Sequence, residues 1–292
     1  MGKVVTVMNM KGGVGKTTVA IHLAAAFARR RINDKWRKVL LIDYDPQFNA
    51  SQAFIRPRVY FDLDERGKTV LSILVEDEKN LDPFKLQVPG NETPPKLEDI
   101  VYNFFTGTHD NCLDVVPSTL DLMYVALGQS ETKTDPMEER FNKFIEQCRQ
   151  NYDLIFIDCH PAGSILTKTS LRNSEHVIIP VVDQSYATRG IGLMMKFIAA
   201  KKQGTVGTIP HVLFNMTTAG VESAFEKIIR NSTEFGTLCM NNTLHKYKAF
   251  ADPADGRGFA WNSGRPWSDT AWFNVVRVAS EFMQRIEPEV KK

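Results

Sequence analysis

Hydrophobic positions along this chain fall mostly in short, β-branched runs rather than in strict alternation. VVTVM (4–8), KVLLID (38–43), LIFI (154–157), VIIPVV (177–182) and HVLFN (211–215) are such runs, each ending in a polar or glycine-containing stretch. Runs of this length predict strands buried on both faces, as in a parallel sheet. Helical spacing fills the intervals. After Thr17 the apolar positions Ala20, Ile21, Leu23, Ala24 and Phe27 recur on one side of a helix that ends in Arg29, Arg30 and Arg31. Further helices are expected over 190–201 and 222–231. From Asp269, the residues Trp272, Phe273, Val276, Ala279, Phe282, Met283 and Ile286 form a stripe expected to face the core. The alternation predicts an α/β fold, doubly wound, with a mostly parallel sheet and helices on both faces.

Composition adds limits. The 292 residues are 43% hydrophobic, enough for a sizeable core, and are expected to form one domain over 1–292. The net charge of +2 hides segregation: residues 1–58 carry +8, residues 59–192 carry −10 and residues 193–292 carry +4. Four scattered cysteines, Cys112, Cys148, Cys159 and Cys239, lack metal-ligand spacing, which suits a reduced cytoplasmic interior. No apolar run is long enough for a membrane span or a signal peptide, so no membrane attachment is expected.

The sharpest chemical signal follows the first strand. KGGVGKTT (11–18) stands between that strand and a helix, the context of a Walker-A phosphate loop. Gly12, Gly13 and Gly15 let backbone N–H groups turn toward a phosphate, with Val14 between them and the helix N-terminus adding its dipole. Lys16 supplies a cation to the β- and γ-phosphates of ATP, Thr17 a hydroxyl to Mg²⁺, and Thr18 completes the loop. The generic pattern asks for glycine at position 10. Here Met10 stands there, followed by a second lysine, Lys11.

That departure resembles the deviant Walker A of the ParA/MinD family of partitioning and positioning ATPases. The resemblance implies a P-loop NTPase fold and places Lys11 in trans, across an ATP-dependent homodimer. DYDPQFNAS (43–51) is similar to the family's switch, so Asp45 is expected to orient the attacking water and Asp43 to support Mg²⁺ and Thr17. YDLIFIDCHPAG (152–163) gives Asp158 the Walker-B role at the metal, with Pro161 to Gly163 as a γ-phosphate sensor. The family usually has two prolines here; this chain has His160 before Pro161. Asn215, at a strand end, matches a position that contacts adenine. LDVVPSTLDL (113–122) resembles the family's central strand and the turn after it.

The resemblance thins in two places. Residues 55–112 read as a long, acidic connection with short helices at LSILVED and KLEDIVYNFF, a solvated insertion in preference to a partner-binding surface. Residues 241–272 hold three tryptophans and a glycine–proline turn; beyond the last helix only a short tail, 287–292, remains. The implied function is a slow, partner-stimulated ATPase switch that partitions or positions a DNA or protein cargo. Its ATP dimer would bind non-specific duplex DNA, placing it on the nucleoid, and a ParB-like protein would stimulate hydrolysis. Candidate phosphate contacts are Lys227, Arg230, Lys246, Lys248 and Arg265. Alternatives are an ATPase regulator acting on a protein partner without DNA, and a small-molecule ATP-dependent synthetase of the same superfamily.

Overall fold

The computed structural model describes residues 1–76, 81–82, 85, 88–128, 134–160, 163–184, 187–200 and 207–287. Its strands are β1 (Lys3–Val7), β2 (Lys38–Tyr44), β3 (Tyr102–Thr106), β4 (Cys112–Val116), β5 (Leu154–Cys159), β6 (His176–Val181), β7 (Ile209–Thr217) and β8 (Leu244–His245). They form one sheet in the order β3-β4-β2-β5-β1-β6-β7-β8, parallel throughout except for β3.

Eleven α-helices of the described residues cover it. They are α1 (Lys16–Arg29), α2 (Asn49–Phe54), α3 (Pro57–Glu65), α4 (Leu71–Leu74), α5 (Leu97–Ile100) and α6 (Leu122–Leu127), followed by α7 (Asp135–Asn151), α8 (Ile165–Asn173), α9 (Ala187–Ala200), α10 (Ala224–Arg230) and α11 (Ser268–Ile286). Side chains from α4 to α10 pack against one face, around Phe141, Phe144 and Ile157. Side chains from α1, α2, α3 and α11 pack against the other, around Phe27, Phe156 and Phe282. The doubly wound α/β fold expected from the run pattern is therefore the fold observed.

Four local expectations need correction. KLEDIVYNFF is helical only at α5; its aromatic second half forms β3, which pairs antiparallel to β4 with a bulge between Asn103 and Phe105. Aromatic side chains favour a pleated surface, and Phe104 packs edge-on against Phe54. The strand within LDVVPSTLDL is second from the sheet edge, not central, because β3 is its outer neighbour. On α11, Trp272, Ala279, Phe282, Met283 and Ile286 face the core as expected, but Phe273 is exposed and Val275 and Val278 are buried in addition.

The connection 55–112 is also more than a solvated loop. Val70, Leu71, Ile73, Leu74 and Val75 are buried in the core. Arg140 of α7 clamps them, its Nε donating to the Ile73 carbonyl at 2.8 Å and its Nη2 to the Ser72 carbonyl at 2.8 Å. Its Nη1 donates to the Asn91 Oδ1 and the Thr93 carbonyl. Truncation removes the donor from the Ile73 and Ser72 carbonyls inside the fold, while the exposed Asn91 and Thr93 can turn to water. Arg140→Ala is expected to lower stability by about 3 kcal/mol in urea denaturation, and a loss below about 0.5 kcal/mol would contradict the clamp.

Candidate nucleotide and metal site

Three adjacent strands, β2, β5 and β1, end side by side and deliver the candidate residues to one place. In register, Val7 of β1 lies opposite Asp158 of β5, and Asp158 opposite Asp43 of β2. The glycine loop leaves β1 and runs directly into α1. Parallel strands gather ligand groups at their carboxyl ends, as here.

The loop's shape is held from outside. Asn9 is buried; its Nδ2 donates to the Pro180 carbonyl at 2.7 Å and its Oδ1 accepts from the Lys11 N–H at 3.0 Å. Asn215, at the end of β7, donates from Nδ2 to the Val14 carbonyl at 2.8 Å. Gly15 is the N-cap of α1 in the left-handed region (φ 81°), and no side chain caps the helix. The first N–H groups of α1 therefore stay available to an anion. A Cβ on Gly15 would lie 2.4 Å from Asn215 Nδ2, whereas Gly12 and Gly13 face open space. Spacing arguments identify the glycines but miss Asn9, for which a buried polar residue just after an apolar strand is the available signal.

Lys16 is nearly buried and its Nζ donates to the Lys11 carbonyl at 3.2 Å. Burial lowers its pKa, while Asp158 and Asp45 pull the other way. Lys11 extends instead to Gln184 Oε1 of the same chain. Thr17 hydrogen-bonds Asp158 through its side chain, and the Thr18 carbonyl accepts from His22 Nδ1 at 2.8 Å.

Asp43 is fully buried, and its Oδ2 accepts from both the N–H and the hydroxyl of Ser51 at 2.7 Å. Burial pushes its carboxyl up to about 7 against these two bonds, with the Asp45 charge adding to the rise. The Ser51 hydroxyl in turn accepts from the Ser118 N–H, and the Ser118 hydroxyl donates to the Asp45 carbonyl, both at 2.8 Å. Ser51 and Ser118 thus tie the switch segment to the end of β4. Asp45 itself is partly exposed, its Oδ1 accepting from the Gln47 N–H at 3.0 Å.

Asp158 is the electrostatic focus. It is buried, and its Oδ2 has no hydrogen-bond partner among the described residues. Burial first, and the neighbouring Asp43 second, raise its pKa well above the carboxylate range. A buried carboxylate oxygen without a donor, beside a second carboxylate and a threonine hydroxyl, is an environment that a divalent cation completes. The donor set of Thr17, Asp43 and Asp158 fits Mg²⁺ bound mainly through phosphate oxygens and waters. No cluster of three or more His, Cys, Asp or Glu that could hold a metal ion occurs among the described residues.

Some expected participants lie elsewhere. Pro161 and Ala162 fall outside the described residues. Cys159 is buried and its thiol is pushed up to about 12, so it packs rather than reacts. Of the five cations proposed for DNA, Lys227, Lys246 and Lys248 are exposed. Arg230 is engaged with Glu226 and the Met240 carbonyl, and Arg265 with Asp252 at 2.5 Å.

Residues 2–208 match the AAA domain family. The sporulation initiation inhibitor protein Soj of Bacillus subtilis is 32% identical over 75% of this chain and 74% of its own length. The chain belongs to the ParA/MinD family of P-loop ATPases. The chromosome-partitioning ATPase Soj of Treponema pallidum is 28% identical over 84% of this chain and 83% of its own. Among solved structures, a putative plasmid partition protein from Borrelia burgdorferi bound to AMPPNP superposes with a TM-score of 0.70. It is 21% identical, and the match covers 98% of this chain and all of that one. Cobyrinic acid a,c-diamide synthase from Mycobacterium smegmatis, with ADP and magnesium, gives 0.69 at 18% identity over 100% and 98%. At these identities the structures share the fold. No helix of the described residues of this ParA-family chain is long and apolar enough to cross a membrane.

The packing of Asn215 against the loop gives a direct check. Gly15→Ala both strains a left-handed residue and drives a methyl into Asn215. It is expected to weaken ATP binding by about ten-fold or more in a calorimetric titration, equivalent to ~1.4 kcal/mol. Unchanged affinity would show that the loop relaxes freely.

Proposed function

We propose that this ParA-family chain is a cytoplasmic ATP-dependent switch that closes into a homodimer with ATP and Mg²⁺ and opens on slow hydrolysis. The observation that carries the reading is the convergence of Lys16, Thr17, Asp43, Asp45 and Asp158 on adjacent strand ends. Lys16 and the free N–H groups of α1 bind the phosphates, and Thr17 with the two buried aspartates holds the cation. Mg²⁺ supplies charge neutralisation of the phosphate oxygens. Asp45, partly exposed and next to Asp43, orients water; positioning contributes more than its weak basicity.

Lys11 acts after release from Gln184, reaching the partner's nucleotide in the dimer. This assignment rests on the deviant loop sequence and on the lysine's place at the open edge of the loop. The ATP dimer binds non-specific duplex DNA on the nucleoid, with Lys227, Lys246 and Lys248 as the exposed contacts, and a ParB-like protein accelerates hydrolysis. The Treponema pallidum Soj and Myxococcus xanthus ParA relatives, named for chromosome partitioning, support the partitioning role. A protein cargo without DNA is the second reading, favoured by the commitment of Arg230 and Arg265 to internal ion pairs.

Light scattering on the eluting protein tests the switch. Wild type is expected to double its mass with ATP and Mg²⁺, Lys16→Ala to remain monomeric, and Asp45→Ala to persist as the dimer. A wild type that stays monomeric overturns the proposal. Random duplex should be retained with ATP, lost with ADP, and released steeply as salt rises. Equal failure with both nucleotides at low salt favours the protein-cargo reading.

A further inference from the structure

A second cavity, of about 510 Å³, lies at the pole of the sheet opposite the glycine loop. It opens where the parallel strands begin, bounded by Lys3 at the start of β1, Lys38 at the start of β2 and Asp153 just before β5. Its lining holds five cationic side chains, Lys3, Lys35, Arg37, Lys38 and Arg149. Three carboxylates, Asp110, Asp153 and Glu287, oppose them. Five cations against three carboxylates leave the lining a formal excess of two positive charges.

These cations differ in freedom. Arg37 is 3% exposed and donates to the Ile32 carbonyl at 2.6 Å, and Arg149 donates to the Gly2 carbonyl at 2.8 Å. Both are fixed in place and already paired, Arg37 with Glu287 at 3.3 Å and Arg149 with Glu175 at 2.6 Å. Lys35 has a side chain 67% exposed and lies 3.7 Å from Glu287, so it can turn to an incoming anion. Lys38 pairs with Asp110 at 2.8 Å on the wall shared with an adjoining cavity of about 410 Å³.

The same wall carries a planar platform. Trp36 and His109 both line the cavity and stack with ring centroids 4.7 Å apart and planes 11° from parallel. A tight hairpin presents Lys35 and Trp36. Ile32 and Lys35 exchange backbone hydrogen bonds at 3.1 and 3.2 Å, with Asn33 and Asp34 at positive φ in the turn. The basic segment RRRINDKWRK (29–38) is thereby divided. Arg29 lies over the Phe105 and Trp261 rings and Arg30 over Trp272, which leaves residues 35–38 facing the cavity.

We propose that this cavity is a second ligand site for a nucleoside monophosphate. Lys35 and Lys38 take the phosphate, and the base stacks on the Trp36–His109 platform. A concave volume within the small-ligand range, walled by an aromatic pair, fits a mononucleotide better than a duplex. The aromatic pair distinguishes it from a site for inorganic phosphate alone.

The site is remote from Lys16, so calorimetry with AMP on the full chain, as wild type and as Lys16→Ala, separates it from the glycine loop. Both proteins are expected to bind AMP saturably, with Trp36→Ala and Lys35→Glu each weakening it about ten-fold and Trp36→Phe staying within about three-fold. Adenosine and inorganic phosphate should each bind at least about ten-fold more weakly than AMP. The proposal is overturned by absent AMP binding, by binding that Lys16→Ala abolishes, or by binding unchanged in both Trp36→Ala and Lys35→Glu. It is equally overturned if a short single-stranded oligodeoxynucleotide binds more than about ten-fold tighter than AMP.

Discussion

Two carboxylates buried side by side, Asp43 and Asp158 at the ends of neighbouring strands, are the constraint around which this site is arranged. Like charges in a low-dielectric interior repel, and burial alone disfavours ionisation. Three devices moderate the cost. Ser51 gives Asp43 two hydrogen bonds, Thr17 gives Asp158 one, and Lys16 brings a cation whose own charge is weakened by burial. None of them hydrogen-bonds Asp158 Oδ2. Under the proposed function, that oxygen is where the cation of a bound nucleotide would supply the missing partner.

The glycine loop solves a complementary problem. Its backbone donors must remain unpaired to meet a phosphate, yet the loop cannot be slack. Asn9 and Asn215 hold it from two neighbouring strand ends while α1 begins without a side-chain cap. Rigid support with free donors is electrostatic preorganisation: the dipoles already point where charge will arrive.

Much of this was legible in the sequence because it follows from local patterns. The apolar runs marked β1, β2, β5, β6 and β7, and the glycine spacing placed the loop between β1 and α1. What escaped depends on tertiary partners. YNFF has the aromatic bias of a strand, but the run is too short to stand apart from the helical KLEDIV before it until β4 is beside it. The burial of Leu71 to Val75 depends on Arg140, which lies far along the chain. Phe273 fits the helical period as well as Val275 does, and only the packing of α11 decides between them. Ser51 and Ser118 look like ordinary turn residues until their hydroxyls are seen to link Asp43 with Asp45.

The central claim is that Asp158 is a buried carboxyl whose ionised form is disfavoured until a cation arrives. Thermal unfolding of wild type and Asp158→Asn at about pH 8, without ligand, with ATP, and with ATP plus Mg²⁺, tests it most directly. An acid whose folded pKa is raised costs stability above its unfolded pKa, so removing the Asp158 carboxyl should raise the stability of the ligand-free chain by about 1–3 kcal/mol at this pH. The same substitution should erase the extra stabilisation that Mg²⁺ gives over ATP alone. A variant that is less stable without ligand and keeps the full Mg²⁺ increment would contradict the account.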